Sequence, residues 1–110
     1  MEKLVKIFDA LSDITRLRIY SLLLRETLCV CELVRIMDIQ QSRISHGLKI
    51  LKEANLIKGK RQGKWMVYSI SEKSENYHFV QELKKEIKLP TSDLKHLNLC
   101  KKENFRETKR

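Results

Sequence analysis

Hydrophobic residues in the first half of the chain recur at the spacing of helices rather than of strands. Residues 3–11 carry apolar side chains three or four positions apart, and residues 14–26 repeat the pattern after a polar break. Asp13 stands where it can act as the N-cap of this second helix. A third helix is predicted to begin near Cys29, and a fourth to span residues 41–54 after a short turn. The first half therefore predicts four helices.

The spacing of hydrophobic residues changes from helical to strand-like after Asn55. Asn readily adopts the left-handed conformation just beyond a helix end. Residues 56–58 and 65–70 have the composition of strands. The stretch between them is basic and has Gly63 near its middle, which predicts a hairpin.

Helical spacing resumes at Glu72 and ends at Pro90, which cannot continue a helix. A last helix is predicted towards Cys100, followed by a charged, frayed tail. The order of elements predicts a mainly α protein with a small β-hairpin, a winged helix-turn-helix of five to six helices. We expect residues 1–90 to form the winged helix-turn-helix domain and residues 91–110 a C-terminal helix and basic tail.

The fourth helix has one apolar and one polar side. Ile44, Leu48 and Leu51 share one side of a helical wheel. The opposite side and its edge carry short polar and cationic residues that suit the major groove of DNA. These candidate DNA-binding residues are Gln41, Ser42, Arg43, Ser45, His46 and Lys49.

The hairpin adds cations that repel one another unless phosphates neutralise them. They are Lys58, Lys60, Arg61 and Lys64, of which the last three are further candidate DNA-binding residues. The chain of 110 residues has a formal net charge of +9, which favours a polyanionic partner, double-stranded operator DNA first. A solvated amphipathic helix is the alternative for the fourth helix taken alone.

The sequence has no apolar run long enough to span a membrane, and its first residues do not resemble a signal peptide. Three cysteines are an odd number for a disulfide framework. We therefore expect a cytoplasmic protein with reduced thiols and neither a membrane nor a protein substrate as partner. No enzyme is predicted, because the order of elements is not that of a thiol–disulfide exchange protein.

Cys29 and Cys31 are the candidate ligand residues. Two positions apart on a regular helix they lie about 200° from each other, so they cannot share an ion without disturbing the helix. A helix start unwinds easily and lowers thiol pKa values, which favours thiolates. Thiolates prefer soft ions to Mg²⁺ or Ca²⁺. The hypothesis is that ion binding strains the helix that supports the DNA-reading helix.

The chain resembles the arsR family of arsenic- and metal-responsive repressors over residues 4–72. The matching segments are ALSDITRLRI (10–19), LCVCEL (28–33), ISHGLKIL (44–51) and QGKW (62–65), followed by Tyr68. The resemblance implies a homodimeric winged-helix repressor that leaves its operator when an inducer binds. DNA binding then requires no cofactor.

Two residues depart from the family pattern. Ile14 stands where the family usually has Pro at the first helical position. Gly47 stands where His is common, and glycine inside a helix costs about 0.5–1 kcal/mol relative to Ala. Because Gly47 is expected to remove a DNA-facing side chain, the operator is expected to differ from those of relatives.

The LCVCEL segment resembles the arsenite-responsive branch, which implies arsenite or antimonite as inducer. A third cysteine often follows three positions after the second in that branch, where this chain has Val34. Cys100 is the remaining thiol and is either a third ligand or a bystander. Cadmium, lead and bismuth suit the same sulfurs. The zinc and cobalt site of other members is not predicted, because Asn76 and His78 do not supply its ligands.

Redox sensing is an alternative to ion binding. Cys29 and Cys31 would then be oxidised rather than ligated, and peroxide instead of arsenite would release the operator. Non-specific chromosome binding without any inducer is a further alternative.

Apolar stripes on the first helix and on the helices after the hairpin predict a two-fold dimer. The residues are Leu4, Ile7, Phe8, Leu11, Phe79, Val80, Leu83, Ile87, Leu94 and Leu97. Such a dimer would place two reading helices about 34–36 Å apart. Packing of these residues within one subunit is the alternative.

Overall fold

The computed structural model describes residues 1–71 and 77–103, and of residues 77–81 only the backbone. The elements are α1 (Glu2–Leu11), α2 (Ile14–Leu23), β1 (Leu28–Cys29), α3 (Val30–Met37), α4 (Gln41–Glu53), β2 (Ile57–Gln62), β3 (Trp65–Ile70), α5 (Tyr77–Glu86) and α6 (Thr91–Glu103). Helices α3 and α4 form the helix-turn-helix, and β2 and β3 form the wing. The predicted fold class is confirmed.

The junction of α1 and α2 is fixed by side-chain hydrogen bonds. Asp13 accepts the backbone N–H of Arg16 at 3.1 Å, as expected of an N-cap. The Arg16 guanidinium in turn donates to the Ala10 carbonyl at 2.7 Å, at the end of α1. Helix α2 ends at Leu23, three residues earlier than predicted.

Two non-glycine residues with left-handed backbone conformation lie on either side of α4. Asp38 has φ 54° where α3 ends, and Asn55 has φ 60° just after α4. Asn55 behaves as predicted. Asp and Asn tolerate this conformation better than other side chains do, which explains why the chain turns at these positions.

The sheet has three antiparallel strands in the order β1-β3-β2. Strand β1 was not predicted, because two residues are too few to show an alternating pattern. The third helix begins at Val30, directly after its N-cap Cys29, in agreement with the predicted start near Cys29. Gly63 has φ 60° at the first central position of the wing turn, which a two-residue hairpin loop with glycine there requires.

Helix α6 packs against α3 and carries polar contacts along one face. Asp93, almost fully buried, accepts from two nitrogens of the Arg18 guanidinium in α2, at 2.7 and 2.6 Å. Nδ1 of His96 lies 2.9 Å from the Ile36 carbonyl near the end of α3. Cys100 contacts Glu32 in the first turn of α3. Helix α6 thus braces both ends of α3.

Helix α5 ends before Pro90, as predicted. Three parts of the predictions lie outside the described residues. They are the predicted start of this helix at Glu72, the side chains of Phe79 and Val80, and the predicted frayed tail from Asn104 onward. Within residues 1–71 and 77–103, no helix is both long and apolar enough to cross a membrane.

Candidate DNA interface and thiol site

Helix α4 presents the predicted polar face to solvent. Its inward residues Ile44, Leu48 and Leu51 are fully buried. The six predicted DNA-binding residues of this helix are all exposed, namely Gln41, Ser42, Arg43, Ser45, His46 and Lys49. The core therefore fixes the orientation of α4 while its outer face remains accessible.

Arg43 is anchored at the edge of this face. Its guanidinium donates to the Thr15 hydroxyl in α2 at 3.1 Å. Thr15 is buried, so the contact holds one end of the α4 surface against α2. Arg43 can contact DNA either while it keeps the hydrogen bond to Thr15 or after that hydrogen bond breaks.

Gly47 does not lie on the exposed face, which corrects the expectation that it removes a DNA-facing side chain. It is buried where α4 crosses α2. A Cβ atom at this position would lie 3.0 Å from Cδ1 of Ile19 and 3.4 Å from Cγ of Arg16. Glycine thus permits close packing of the two helices.

The wing carries its cations on the surface. Lys58, Lys60, Arg61 and Lys64 are all exposed. Nζ of Lys64 lies 5.2 Å from the centre of the Trp65 ring, within cation–π range. The tip of the wing thus carries exposed positive charge of the kind that binds phosphate. DNA binding by Lys60, Arg61 and Lys64 stays a prediction.

Cys29 is the N-cap of α3 and not a residue of its first turn. Its backbone is extended, with φ −92° and ψ 169°, so the predicted 200° relation to Cys31 does not hold. The thiol is buried and faces the Glu32 backbone, while the Glu32 carboxylate accepts the Cys29 N–H at 3.0 Å. This is a capping box with cysteine in the place of serine.

Burial also overturns the expected thiolate at Cys29. Burial raises the pKa of the Cys29 thiol to about 11. The hydrogen bond from the Glu32 backbone N–H lowers this pKa, and the nearby Glu32 carboxylate raises it. The protonated thiol is therefore the resting form. An ion that binds Cys29 must displace its proton.

The other two thiols lie in different surroundings. Cys31 is exposed near the start of α3, and Cys100 is buried in α6. The Cys100 thiol donates to Oε2 of Glu32, with sulfur and oxygen 4.0 Å apart. Among the described residues, no three His, Cys, Asp or Glu side chains are already grouped as a metal ion would need.

Glu32 is the site residue that sequence reasoning missed. Only 6% exposed, it joins the N-cap residue of α3 to the thiol of α6. Its signal in the sequence was its position three residues after a potential N-cap, which is the capping-box spacing. Cysteine is not among the usual capping residues, so the signal was weak.

Cys29 is also connected to the wing. In the sheet it pairs with Val67 of β3, and β3 pairs with β2 along the whole hairpin. The same residue therefore ends the strand next to the wing and starts the helix before the DNA-reading helix. Cys29 is therefore joined through the backbone to the helix before α4 and, by strand pairing, to the wing.

Comparison with known proteins agrees with this geometry. Residues 13–58 match the model of the bacterial regulatory protein, arsR family. The chain is 42% identical over 77 residues to the arsenical resistance operon repressor of Bacillus subtilis, covering 69% of this chain and 73% of that protein. It is 39% identical over 71 residues to a transcriptional repressor SmtB homolog of Synechocystis, covering 64% of this chain and only 54% of the relative.

A solved structure shares the fold. Reduced HlyU from Vibrio cholerae superimposes with a TM-score of 0.67 at 26% identity, over 76% of this chain and 87% of that one. The chain belongs to the arsR family of bacterial regulatory proteins.

Proposed function

We propose that this chain is a transcriptional repressor that binds operator DNA and releases it when a thiophilic metalloid or metal ion binds its cysteines. Arsenite or antimonite is the proposed inducer, and a resistance operon the proposed target. The name of the Bacillus subtilis relative, an arsenical resistance operon repressor, supports this choice.

One observation carries the proposal: Cys29 lies between the strand that pairs with the wing and the helix that precedes α4. The exposed face of α4 and the exposed cations of the wing are the candidate contacts to one major groove and its flanking phosphates. Cys29 caps α3 and pairs with the wing strand. Ligation at this residue therefore has a direct route to the DNA contacts.

The proposed ligands are Cys29 and Cys31, with Cys100 as the candidate third sulfur. Cys31 is exposed and can capture the ion first, whereas Cys29 must leave its capping contact with Glu32. Opening that contact removes the cap from α3, at a cost typically of about 1 kcal/mol. The ion replaces it with sulfur bonds that hold α3 in a different position.

A homodimer is part of the proposal, because α1 exposes apolar side chains. Leu4, Val5 and Phe8 are 40%, 60% and 50% exposed. Ile7 and Leu97 of the predicted stripes are instead buried within the subunit, so packing in the core accounts for part of the pattern. Sedimentation at micromolar concentration should give a dimer; a monomer would remove the two-fold interface.

A gel-shift experiment on a promoter fragment from upstream of the coding sequence tests the DNA interface. Lys49→Ala and the double variant Lys60→Ala/Arg61→Ala should each weaken binding at least fivefold, because cationic contacts to DNA are lost. Lys85→Ala, which removes an exposed cation on α5, is the matched control and should bind like wild type. Equal binding by all four proteins would refute the interface.

The same assay identifies the inducer. The bound fragment is titrated with arsenite, antimonite, cadmium, lead, bismuth, zinc and peroxide. Release by arsenite and antimonite at the lowest concentrations supports the proposal. Release by cadmium, lead or bismuth alone would transfer the assignment to those ions, and release by peroxide alone would make the protein a thiol-based redox sensor.

A further inference from the structure

We propose that Thr15 is a positioning residue for DNA binding, whose hydroxyl holds the Arg43 guanidinium where it binds a backbone phosphate rather than a base edge. Nη2 of Arg43 donates to Oγ1 of Thr15 at 3.1 Å. Thr15 is only 7% exposed, whereas Arg43 is exposed. The inference rests on the proposed function, because it assigns a role to one residue of the α4 surface and to the residue that supports it.

Arg43 lies on the flank of α4 that faces α2. Residues four positions apart on a helix share one side, and Arg43 precedes Gly47 by four positions. Gly47 is buried, and a Cβ atom there would lie 3.0 Å from Cδ1 of Ile19 in α2. Ile19 in turn follows Thr15 by four positions. The two helices therefore meet at two successive levels, an apolar one at Gly47 and a polar one at Arg43.

This placement favours a phosphate as the partner of Arg43. Ser42 and His46 are exposed and point away from the buried Ile44 on a helical wheel. Arg43 lies roughly 80° to the side of their mean direction, towards α2. Base edges form the floor of the major groove, while the phosphates line its two sides. A cation on the flank of a helix in the groove therefore meets a phosphate.

The Thr15 hydroxyl fixes the Arg43 guanidinium without neutralising its charge. Within residues 1–71 and 77–103, no acidic side chain forms an ion pair with Arg43, whereas Arg18 in α2 pairs with Asp93. Thr15 accepts from one nitrogen of Arg43, so other N–H donors remain for phosphate oxygens. A side chain that is already held in place loses less conformational entropy when it binds DNA.

Fluorescence anisotropy with the upstream promoter fragment and a scrambled fragment of equal length tests the phosphate contact. Arg43→Ala should weaken binding to both fragments by the same factor. It should also lower the slope of log affinity against log salt concentration by about 0.9 for each subunit bound. Lys85→Ala, which removes an equal charge from an exposed position of α5, is the matched control and should leave both quantities unchanged.

Substitutions of Thr15 test its positioning role. Thr15→Val removes the acceptor but nearly keeps the side-chain shape, and it should weaken binding to both fragments about three- to tenfold. Thr15→Ser keeps the hydroxyl and should bind like wild type. In Arg43→Ala, the further change Thr15→Val should have no effect, because the two residues act as a unit. Circular dichroism shows whether each variant is folded, and Thr15→Ala replaces Thr15→Val if the latter does not fold.

The outcomes separate this inference from the proposed function. Equal losses in Thr15→Val and Thr15→Ser, or additive losses in the double variant, would overturn the role of Thr15. A loss confined to the promoter fragment, with an unchanged salt slope, would overturn the phosphate contact of Arg43. Unchanged binding by Arg43→Ala while Lys49→Ala binds weakly would refute this inference alone. Unchanged binding by both of these variants and by Lys60→Ala/Arg61→Ala would refute the proposed DNA interface as well.

Discussion

At the scale of single residues, the protonation of Cys29 is the property most open to test. Burial raises the pKa of this thiol to about 11 in the folded chain, from an ordinary value of 9.0. The unfolded chain therefore loses the thiol proton first as the pH rises. The contribution of Cys29 to stability is intact below about pH 9 and is lost as the pH rises to about 11.

Urea unfolding of the reduced protein measures this effect. Between about pH 9 and pH 11, wild type should lose about 2 kcal/mol more of its free energy of unfolding than Cys29→Ala does. Tyr20, whose pKa burial raises to about 12, is common to both proteins and cancels in the difference. Parallel curves for the two proteins would show that the Cys29 thiol is not held protonated by the fold.

At the scale of elements, Gly47 sets the distance between α4 and α2. Gly47→Val would force a branched side chain against Ile19, where even a Cβ atom lies 3.0 Å away. We expect thermal unfolding to show a loss of about 2 kcal/mol, the usual cost of overpacking. Lys49→Val, at an exposed position of the same helix, should cost less than about 0.7 kcal/mol. Equal losses would place Gly47 outside the helix contact.

The ion pair of Asp93 with Arg18 joins α6 to α2. Asp93→Asn removes the charge that pairs with Arg18. The pair is only partly buried, because the Arg18 side chain is 23% exposed. We expect a loss of about 2 kcal/mol in urea unfolding, below the range for fully buried pairs. Lys101→Ala, which breaks the exposed pair with Glu26, should cost less than about 1 kcal/mol. Similar losses in the two variants would show that the Asp93–Arg18 pair stabilises the fold no more than an exposed ion pair does.

The same elements show how much could be read from the sequence. Helical periodicity and the N-cap at Asp13 predicted α1, α2 and α4 to within a few residues, because long amphipathic helices carry a strong local signal. Strand β1 has only two residues and forms because it pairs with β3. A local sequence pattern cannot predict such pairing with a distant segment. The role of Gly47 and the meeting of Cys100 with Glu32 likewise depend on helices that are distant in the sequence.

At the scale of the whole molecule, the net charge of +9 and the exposed cations of α4 and the wing bear on DNA affinity. Each phosphate neutralised adds about 0.9 to the slope of log affinity against log salt concentration. Removing Lys60 and Arg61 together should therefore lower the slope by up to about 2 for each subunit bound. An unchanged slope in fluorescence anisotropy would mean that the wing does not touch the phosphates.

The most direct test of the account measures the coupling between thiols and DNA. Fluorescence anisotropy gives the dissociation constant of the reduced chain for its upstream promoter fragment, with and without saturating arsenite. We predict that arsenite raises the dissociation constant of wild type for DNA at least tenfold. This corresponds to a coupling free energy between the thiols and DNA of about 1.4 kcal/mol or more. Cys29→Ser and Cys31→Ser should bind DNA like wild type and show no response to arsenite. A wild-type response in Cys31→Ser, or none in wild type with any thiophilic ion, would contradict the account.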